Sequence, residues 1–548
     1  MEHSLLHALQ LCGIVVALGG SFLMLGLFFP ALRKLGQEGQ PPAFATQLNA
    51  SVGRWFFGGA IVGICAAILN LFVDVAEVQG RTIFGGVSAA TVWRFATITT
   101  VGHLSLLRLA ALILTAGAVL VKGRWRWRLG LITALAAAVC ESLISHAAAQ
   151  PTGREPIITV ELIHILAASL WLGVLIHLLL ARRAIESATD PAGSALVAEV
   201  VRRFSPVAMT AVGLLGISGL YLVFRYLCTP AAVPTTAYGL TLMVKLVLVL
   251  PLLYAGYVNY RIIRPGLQAL RNGNSLEAPR RTLLQHFGKT LEFEVTAGVL
   301  VITVAGILAS VSPPVRTASL RLTGDQVAAL LTPHWPRVNI ANPETFYGAQ
   351  ERTEADLQYA EFTHNWSGVM VCLLGCGWLA VSLGGQTGRW AERAWPWLLV
   401  PFPFFIAVAA DPEVWLMHKV SFLQTIGDPQ LLEHQLGALL AFILVGLGWM
   451  DRRLPEGQRP LGYALPVLLI MGSLLLLGHA HSNFTSNQEL TNLINVQHAV
   501  FGTFGLFAGV VRWSSLRGLF PVAVARPLWP SLVIALGVYM AFFYREDV

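Results

Sequence analysis

Histidine is the residue type in this sequence whose placement most directly indicates chemistry. The chain has fourteen histidines, and a neutral imidazole nitrogen is a good ligand for copper, zinc and iron. A single histidine at a membrane interface is more often a hydrogen-bonded residue than a ligand, but polar groups at membrane depth are costly and usually functional. Twelve of the fourteen lie outside the apolar stretches or in their outer parts, and this one-sided set predicts a metal or haem site at one face: His3, His7, His103, His146, His164, His334, His364, His418, His434, His479, His481 and His498.

Two histidine pairs have nearly the same spacing, His146 with His164 and His479 with His498. In each pair, the first histidine lies at the end of one apolar stretch and the second lies near the start of the next. This predicts that the same arrangement is used twice. In a continuous helix the side chains of His479 and His481 would diverge by about 200°, so we expect a helix end there. The predicted metal ligands are His3, His7, His103, His146 and His164 in the first half, and His434, His479, His481 and His498 in the second.

Charged residues inside apolar stretches allow two interpretations. Glu141, Glu161 and Lys245 either line an ion path or pair structurally with other side chains. Arg108 and Lys245 are each expected to have a carboxylate partner, with Glu141 and Glu161 as the candidates. Cys372 and Cys376 share a helical face and suit soft Cu(I), although buried cysteine is also a routine small hydrophobe.

The composition excludes a water-soluble globule. Only 12% of the 548 residues are charged and 55% are hydrophobic, whereas about 25% of an average soluble protein is charged. The mean hydropathy is +0.65. The six cysteines are scattered through apolar runs and form no disulfide framework. The chain is therefore predicted to be an all-α, polytopic membrane helix bundle.

About fourteen transmembrane helices are predicted, since a span needs about 20 apolar residues. Lys and Arg clusters fall in alternate loops, which by the positive-inside rule are cytoplasmic. Both termini are then periplasmic. The formal charge of +8 reflects this orientation rather than nucleic-acid binding. The predicted cores are 5–30, 52–73, 101–121, 129–148, 159–180, 204–226, 239–260, 291–311, 364–384, 396–411, 432–450, 461–480, 493–512 and 528–544.

A long polar segment after the eighth span divides the chain. It is too polar to cross a membrane and too long for a simple turn. The predicted organisation is an eight-helix membrane domain at 1–315, a periplasmic cap or linker at 316–362, and a six-helix membrane domain with the outer histidine cluster at 363–548. The sequence has no phosphate-binding Gly-rich loop and no Cys-x-x-Cys-His haem-attachment motif. Because the phosphate-binding loop is absent, ATP-driven pumping by this chain alone is excluded.

The motifs of residues 140–315 resemble the copper resistance protein D (CopD) family. They comprise the stretch from His164 through Trp171 to Gly173, Gly216-Ile-Ser-Gly219-Leu-Tyr221, and Tyr238 to Lys245. They also include Asn259 and the eighth span as far as Pro313-Pro314. Residues 1–140 look like the usual leading helices of that family. The resemblance implies a multi-pass protein of the bacterial inner membrane, linked to copper movement and often partnered by a small periplasmic copper-binding protein.

Three functions follow as hypotheses. The first is a copper-handling membrane protein that binds copper ions through the periplasmic histidines and transports them or passes them to a partner, more as a transporter than as an enzyme. The alternative is a membrane oxidoreductase that binds haem b through paired histidines. The third is an assembly or scaffold subunit whose histidines are structural.

Overall fold

The fold is helical throughout the part of the chain that the structure describes. The computed structural model describes residues 2–39, 41–146, 148, 150, 153–188, 190–271, 277–316, 321–338, 353–412, 414–418, 420–451, 454, 461–479 and 488–548. These residues include no β-strand. Within them, twelve helices are long and apolar enough to cross a membrane, so the predicted polytopic helix bundle is confirmed.

The first half contributes eight of these long helices. The backbone N–H and C=O groups of each helix bond one another within that helix, as a hydrocarbon environment requires. The eight helices are α1 (Glu2–Lys34), α2 (Ala43–Val78), α3 (Thr100–Leu120), α4 (Arg124–Ile144), α5 (Arg154–Leu180), α6 (Pro191–Leu227), α7 (Ala237–Ala269) and α8 (Arg281–Leu308).

The described residues of the second half form seven longer helices, four of them long enough to span. The predicted tenth span is divided in two, because Pro401 provides no backbone N–H to continue the preceding helix. The twelfth is a shorter apolar helix. The helices are α9 (Glu354–Leu383), α10 (Gly385–Leu399), α11 (Pro401–Ala409), α12 (Pro429–Asp451), α13 (Leu461–Gly478), α14 (Gln488–Leu516) and α15 (Val522–Phe542). Shorter helices outside these include Ala89–Ile98, Arg182–Ser187, Ala232–Thr235, Gly324–Leu330 and Phe422–Ile426.

The segment predicted as a cap or linker is partly helical. Helix α9 begins at Glu354, inside the 316–362 segment, and its start is fixed by a capping box in which Thr353 and Asp356 bond each other's backbone N–H groups. The acidic residues Glu354, Asp356 and Glu361 thus belong to the first turns of α9. Residues 339–352 of the predicted cap lie outside the described residues.

The two ends of the bundle differ in chemistry. The histidine end is defined by His3, His146, His434 and His479, which lie near the starts of α1 and α12 and just beyond the ends of α4 and α13. The basic end is the opposite one, where arginines pair with acidic residues. Glu199, fully buried, is contacted there by Lys34, Arg202 and Arg203.

Glu292 at the basic end joins the two halves of the chain. Its carboxylate pairs with Arg182 of the first half at 2.6 Å and with Arg517 of the second. A shared apolar core lies further along the bundle, where α7 and α8 pack against α13 and α14 through residues such as Val244, Val304 and Leu506. The halves therefore form one packed body.

Helices α1 and α5 cross at a contact between two glycines. A Cβ atom added to Gly19 would lie 2.3 Å from the backbone of Gly173, and one added to Gly173 would lie 2.3 Å from the carbonyl oxygen of Val15. Gly173 closes a π-helical turn, Ser169–Gly173, the kind of local widening often found at functional sites. This close approach places α5 directly against the helix that carries His3 and His7.

We predict that Gly19→Leu destabilises the fold, because the new side chain has no space between α1 and α5. The expected loss is about 1–3 kcal/mol, typical of overpacking in a tight core. Thermal unfolding of the detergent-solubilised protein measures it. Gly213→Leu is the matched control, since a Cβ atom at Gly213 meets nothing within 4 Å, and equal midpoints for the two variants would contradict the prediction.

Candidate metal centre

The first turns of α1 bring two histidines together at the histidine end. His3 and His7 are one helical turn apart, and their rings stack with centroids 6.0 Å apart. His3 Nδ1 is 3.1 Å from the Ser310 hydroxyl, and its Nε2 is 3.5 Å from the carboxylate of Asp74. Both His3 nitrogens thus have polar partners, one from the chain just after α8 and one from α2.

Glu141 of α4 is the centre of a buried polar network. Arg108 of α3 donates to its carboxylate at 2.8 Å, and Gln10 donates at 2.5 Å. His7 Nδ1 lies 3.3 Å from the other carboxylate oxygen. Asn70 of α2 in turn donates to the side-chain oxygen of Gln10 at 3.1 Å. The carboxylate partner predicted for Arg108 is therefore Glu141, and the network around this carboxylate joins α1, α2, α3 and α4.

His146 lies just past the end of α4, next to this network. Burial and the nearby cation of Arg316 lower the pKa of His146 to about 4, so its imidazole is neutral near pH 7. Its electrostatic neighbours include His3 and His7. Among the described residues, the buried Nε2 atom of His146 has no hydrogen-bond partner. We call His3, His7, His146, Asp74 and Glu141 the first-half cluster.

The other predicted polar residues of the first half form a separate group. The Ser145 hydroxyl donates to Glu161 at 2.5 Å, and His164 Nδ1 lies 2.9 Å from the Ser218 hydroxyl. Lys245 interacts electrostatically with Glu161 and His164, but within the described part of the chain no ion pair closer than 4.0 Å includes it. His164 thus bonds α6 rather than a member of the first-half cluster, and the use of the same arrangement in both halves stays a prediction.

His103 is also remote from the first-half cluster. Its Nε2 atom bonds the carbonyl oxygen of Thr97 at 2.8 Å, near the start of α3, and the side chain is exposed. The structure therefore brings together three of the five histidines predicted for the first half.

In the second half, four histidine rings form a continuous row, which we call the second-half cluster. The ring centroids of His434 and His479 are 5.2 Å apart, those of His479 and His498 are 4.7 Å apart, and those of His498 and His364 are 5.4 Å apart. Helix α13 ends at Gly478, directly before His479, which is the helix end that the spacing predicted. His481 lies outside the described residues.

Carboxylates hold two of these rings at their Nδ1 atoms. His434 Nδ1 is 2.7 Å from Asp411, and His479 Nδ1 bonds Glu433. Sequence reasoning did not name Asp411 or Glu433, and it placed His364 in the one-sided histidine set without naming it among the predicted ligands. Glu433 directly precedes His434 in the sequence, and this was a signal that could have been used. Glu433, however, bonds His479 at the end of α13, and only the packing of α12 against α13 reveals that pairing.

No group of three or more His, Cys, Asp or Glu side chains in the described residues is already arranged to hold a metal ion. The imidazoles instead bond carboxylates, hydroxyls and carbonyls. Metal binding at either cluster would therefore require side chains to exchange these bonds for a metal ion.

These features define a polytopic helical membrane protein with buried histidine and carboxylate clusters at one end. A family model for the copper resistance protein D-like N-terminal domain matches residues 4–155, and the model for copper resistance protein D matches residues 198–308. The first half of the chain belongs to the copper resistance protein D family, as the sequence motifs predicted.

One curated relative is the "Copper transport protein CutJ" of Bacillus subtilis (strain 168), which is 29% identical over 191 residues. The match covers 33% of this chain and 32% of that protein, so the chain spans about a third of the relative's length. No solved structure matches the chain. The two family models include most of the first-half cluster but none of the second-half cluster.

We predict that Arg108→Met is strongly destabilising, because it leaves the Glu141 carboxylate buried without its cation. Removing one partner of a buried ion pair typically costs about 3–5 kcal/mol. The double variant Arg108→Met with Glu141→Gln should recover much of this loss, since a neutral amide still accepts the bond from Gln10. Thermal unfolding compares the variants. Exposed Arg94→Met is the control, and a double variant no more stable than Arg108→Met would contradict the prediction.

Proposed function

We propose that this chain is a copper-handling membrane protein, which binds copper ions through histidines at the histidine end and transports them or passes them to a partner. The observation that carries the proposal is the match of residues 4–155 to a copper resistance family model, because that segment includes His7, Glu141 and His146. In this role copper is the cargo rather than a resident cofactor, and imidazole with carboxylate is a donor set that suits it.

The first-half cluster supports capture of copper by His7 and His146. Glu141 faces Nδ1 of His7, and a carboxylate in this position directs the other ring nitrogen towards a metal and raises its basicity. His146 is neutral near pH 7 and has a buried Nε2 without a hydrogen-bond partner in the described chain. Metal binding needs deprotonated ligands, so His146 is ready to bind without losing a proton.

His3 and Asp74 are the adaptable members of the cluster. Their contact at 3.5 Å is long, and a copper ion arriving between them would replace it with two metal bonds. The stacked position of His3 over His7 then provides a second imidazole close to the first. We assign His3 and Asp74 as the groups that move when the ion binds.

After capture, the copper ion can follow one of two routes. It is transported inward near Glu141, Glu161 and Lys245, or it is transferred to a small periplasmic copper-binding protein. The charge of Arg108 is balanced by its ion pair with Glu141. Lys245 near Glu161, however, has no ion pair within 4.0 Å in the described residues and repels a metal cation. A cation passing Lys245 would pay a large electrostatic penalty in a low-dielectric environment. This supports transfer at the histidine end over a path through these residues.

The second-half cluster supports a second copper position that uses His434, His479 and His498, with His481 as a further candidate. The alternative from the same histidines is haem b in an oxidoreductase. Haem ligation by two histidines needs rings that face each other across the porphyrin, whereas the three neighbouring ring pairs of this cluster are 4.7–5.4 Å apart. Contacting rings favour the copper proposal.

The copper proposal predicts that His7→Ala and His146→Ala each weaken copper binding by at least about tenfold, as loss of a metal-supporting residue does. Copper content after loading and dialysis, measured by mass spectrometry on purified full-length protein, tests this. His103→Ala is the matched control, because this histidine is exposed and remote from the cluster. His434→Ala tests the second position separately. Unchanged copper content in both His7→Ala and His146→Ala would overturn the assignment.

The haem alternative is tested by an absorption spectrum of the purified protein. Bound haem b gives a Soret band and reducible α-bands, which the copper proposal predicts to be absent. If these bands were present in wild type and lost in His498→Ala, haem would replace copper as the ligand of the second half.

A further inference from the structure

A long cavity runs through the second half and belongs to neither matched family segment. Its volume is about 330 Å³, within the range of small-molecule sites. On α9 its lining residues extend from Asp356 to Trp378 along one helical face, a length of about 33 Å at 1.5 Å per residue. The cavity is therefore about as long as the hydrocarbon core of a membrane is thick.

The chemistry of the lining changes along the cavity. The four rings of the second-half cluster lie at the histidine end, together with Asp411 and Glu433. Further in, the walls are formed by apolar side chains that include Leu374, Trp378 and Leu444. An ion that entered this apolar part would lose its hydration without compensation. The cavity is thus unsuited to be an ion channel and suited to a molecule with a polar head and a long apolar tail.

The charges at the polar end restrict the kind of head group. Of the described residues that line the cavity, none is Lys or Arg, while Asp356, Asp411, Glu433 and Glu546 are acidic. A phospholipid phosphate or a fatty-acid carboxylate would be repelled by these carboxylates. A head group that fits this end is neutral, exchanges hydrogen bonds and stacks on rings.

We propose that this cavity binds a prenylated quinone. The Nδ1 atoms of the four histidines in the second-half cluster are bonded within the protein. Their Nε2 atoms, together with the carboxylates, therefore accept from the hydroxyl groups of the reduced ring, and a histidine in its protonated form donates to a carbonyl oxygen of the oxidised ring. Phe501 lines the cavity and adjoins both His364 and His498, so the polar end provides ring surfaces for a flat head group. The isoprenoid tail lies along the apolar walls towards Trp378.

Two glycines in the wall allow the tail position to be blocked. Gly437 of α12 and Gly472 of α13 both line the cavity, and a Cβ atom added at either meets nothing within 4 Å. Leucine at these positions fills the cavity rather than the helix packing. Gly446 of α12 is equally open but does not line the cavity, so Gly446→Leu is a matched control on the same helix.

Copper at the second-half cluster would compete with the head group for the same rings. The experiment therefore uses metal-free, full-length protein, so that it does not depend on the copper proposal. Protein purified in mild detergent is extracted with organic solvent, and quinones and phospholipids are quantified by chromatography. Wild type and Gly446→Leu should carry a stoichiometric amount of quinone, whereas Gly437→Leu and Gly472→Leu should carry about tenfold less, which for a nearly saturated wild-type site corresponds to a loss of affinity of about a hundredfold.

A second readout locates the head group. A short-chain benzoquinone carrying a photoreactive azide on its ring should crosslink to peptides that contain His364 or His498, and less in the two cavity-filling variants. Extraction of phospholipid without quinone, or crosslinking that is equal in wild type and both blocked variants, would overturn the proposal. The two proposals fail separately. If His7→Ala and His146→Ala bind copper as wild type does but quinone is still extracted, the copper assignment fails and the quinone proposal stands.

Discussion

The cost of placing charge inside a membrane is the constraint on which the structure depends. A charged side chain in hydrocarbon is tolerated only when other groups in the protein compensate it. Glu141 shows how fully this is done, since it is bonded by Arg108, Gln10 and His7 from α3 and α1. The same rule holds at the second-half cluster, where His434 and His479 each bond a carboxylate. Helix packing at the histidine end therefore follows the pairing of polar groups as much as the packing of apolar ones.

Much of the fold could be predicted from the sequence, because membrane helices are marked by long apolar stretches that depend little on tertiary context. The eight helices of the first half coincide with eight predicted spans. The second half was harder, since prolines divide the predicted span at 396–411. The start of α9 at Glu354 was also not expected, because acidic residues in a polar segment indicate a loop unless the capping box at Thr353 is recognised.

The candidate site was predicted in its residue types and only partly in its geometry. The one-sided set of histidines was visible in the sequence, and the pair His479 and His498 does come together. His146 and His164 have different polar neighbours, because similar spacing along the chain predicts depth in the membrane but not rotation about each helix axis. The roles of Asp74, Asp411 and Glu433 depend on which helices are neighbours, and that information is absent from local sequence patterns.

The ion pairs of Glu292 have a consequence for the order in which the protein is made. Synthesis proceeds from the N-terminus, so Glu292 can meet Arg182 as soon as α8 is inserted, whereas Arg517 exists only after α14 has been translated. The first eight helices can thus settle as a bundle with one of the two arginines in place. The ion pair between Glu292 and Arg517 can form only after α14 has been made. It then joins the second half to a first half that has already assembled.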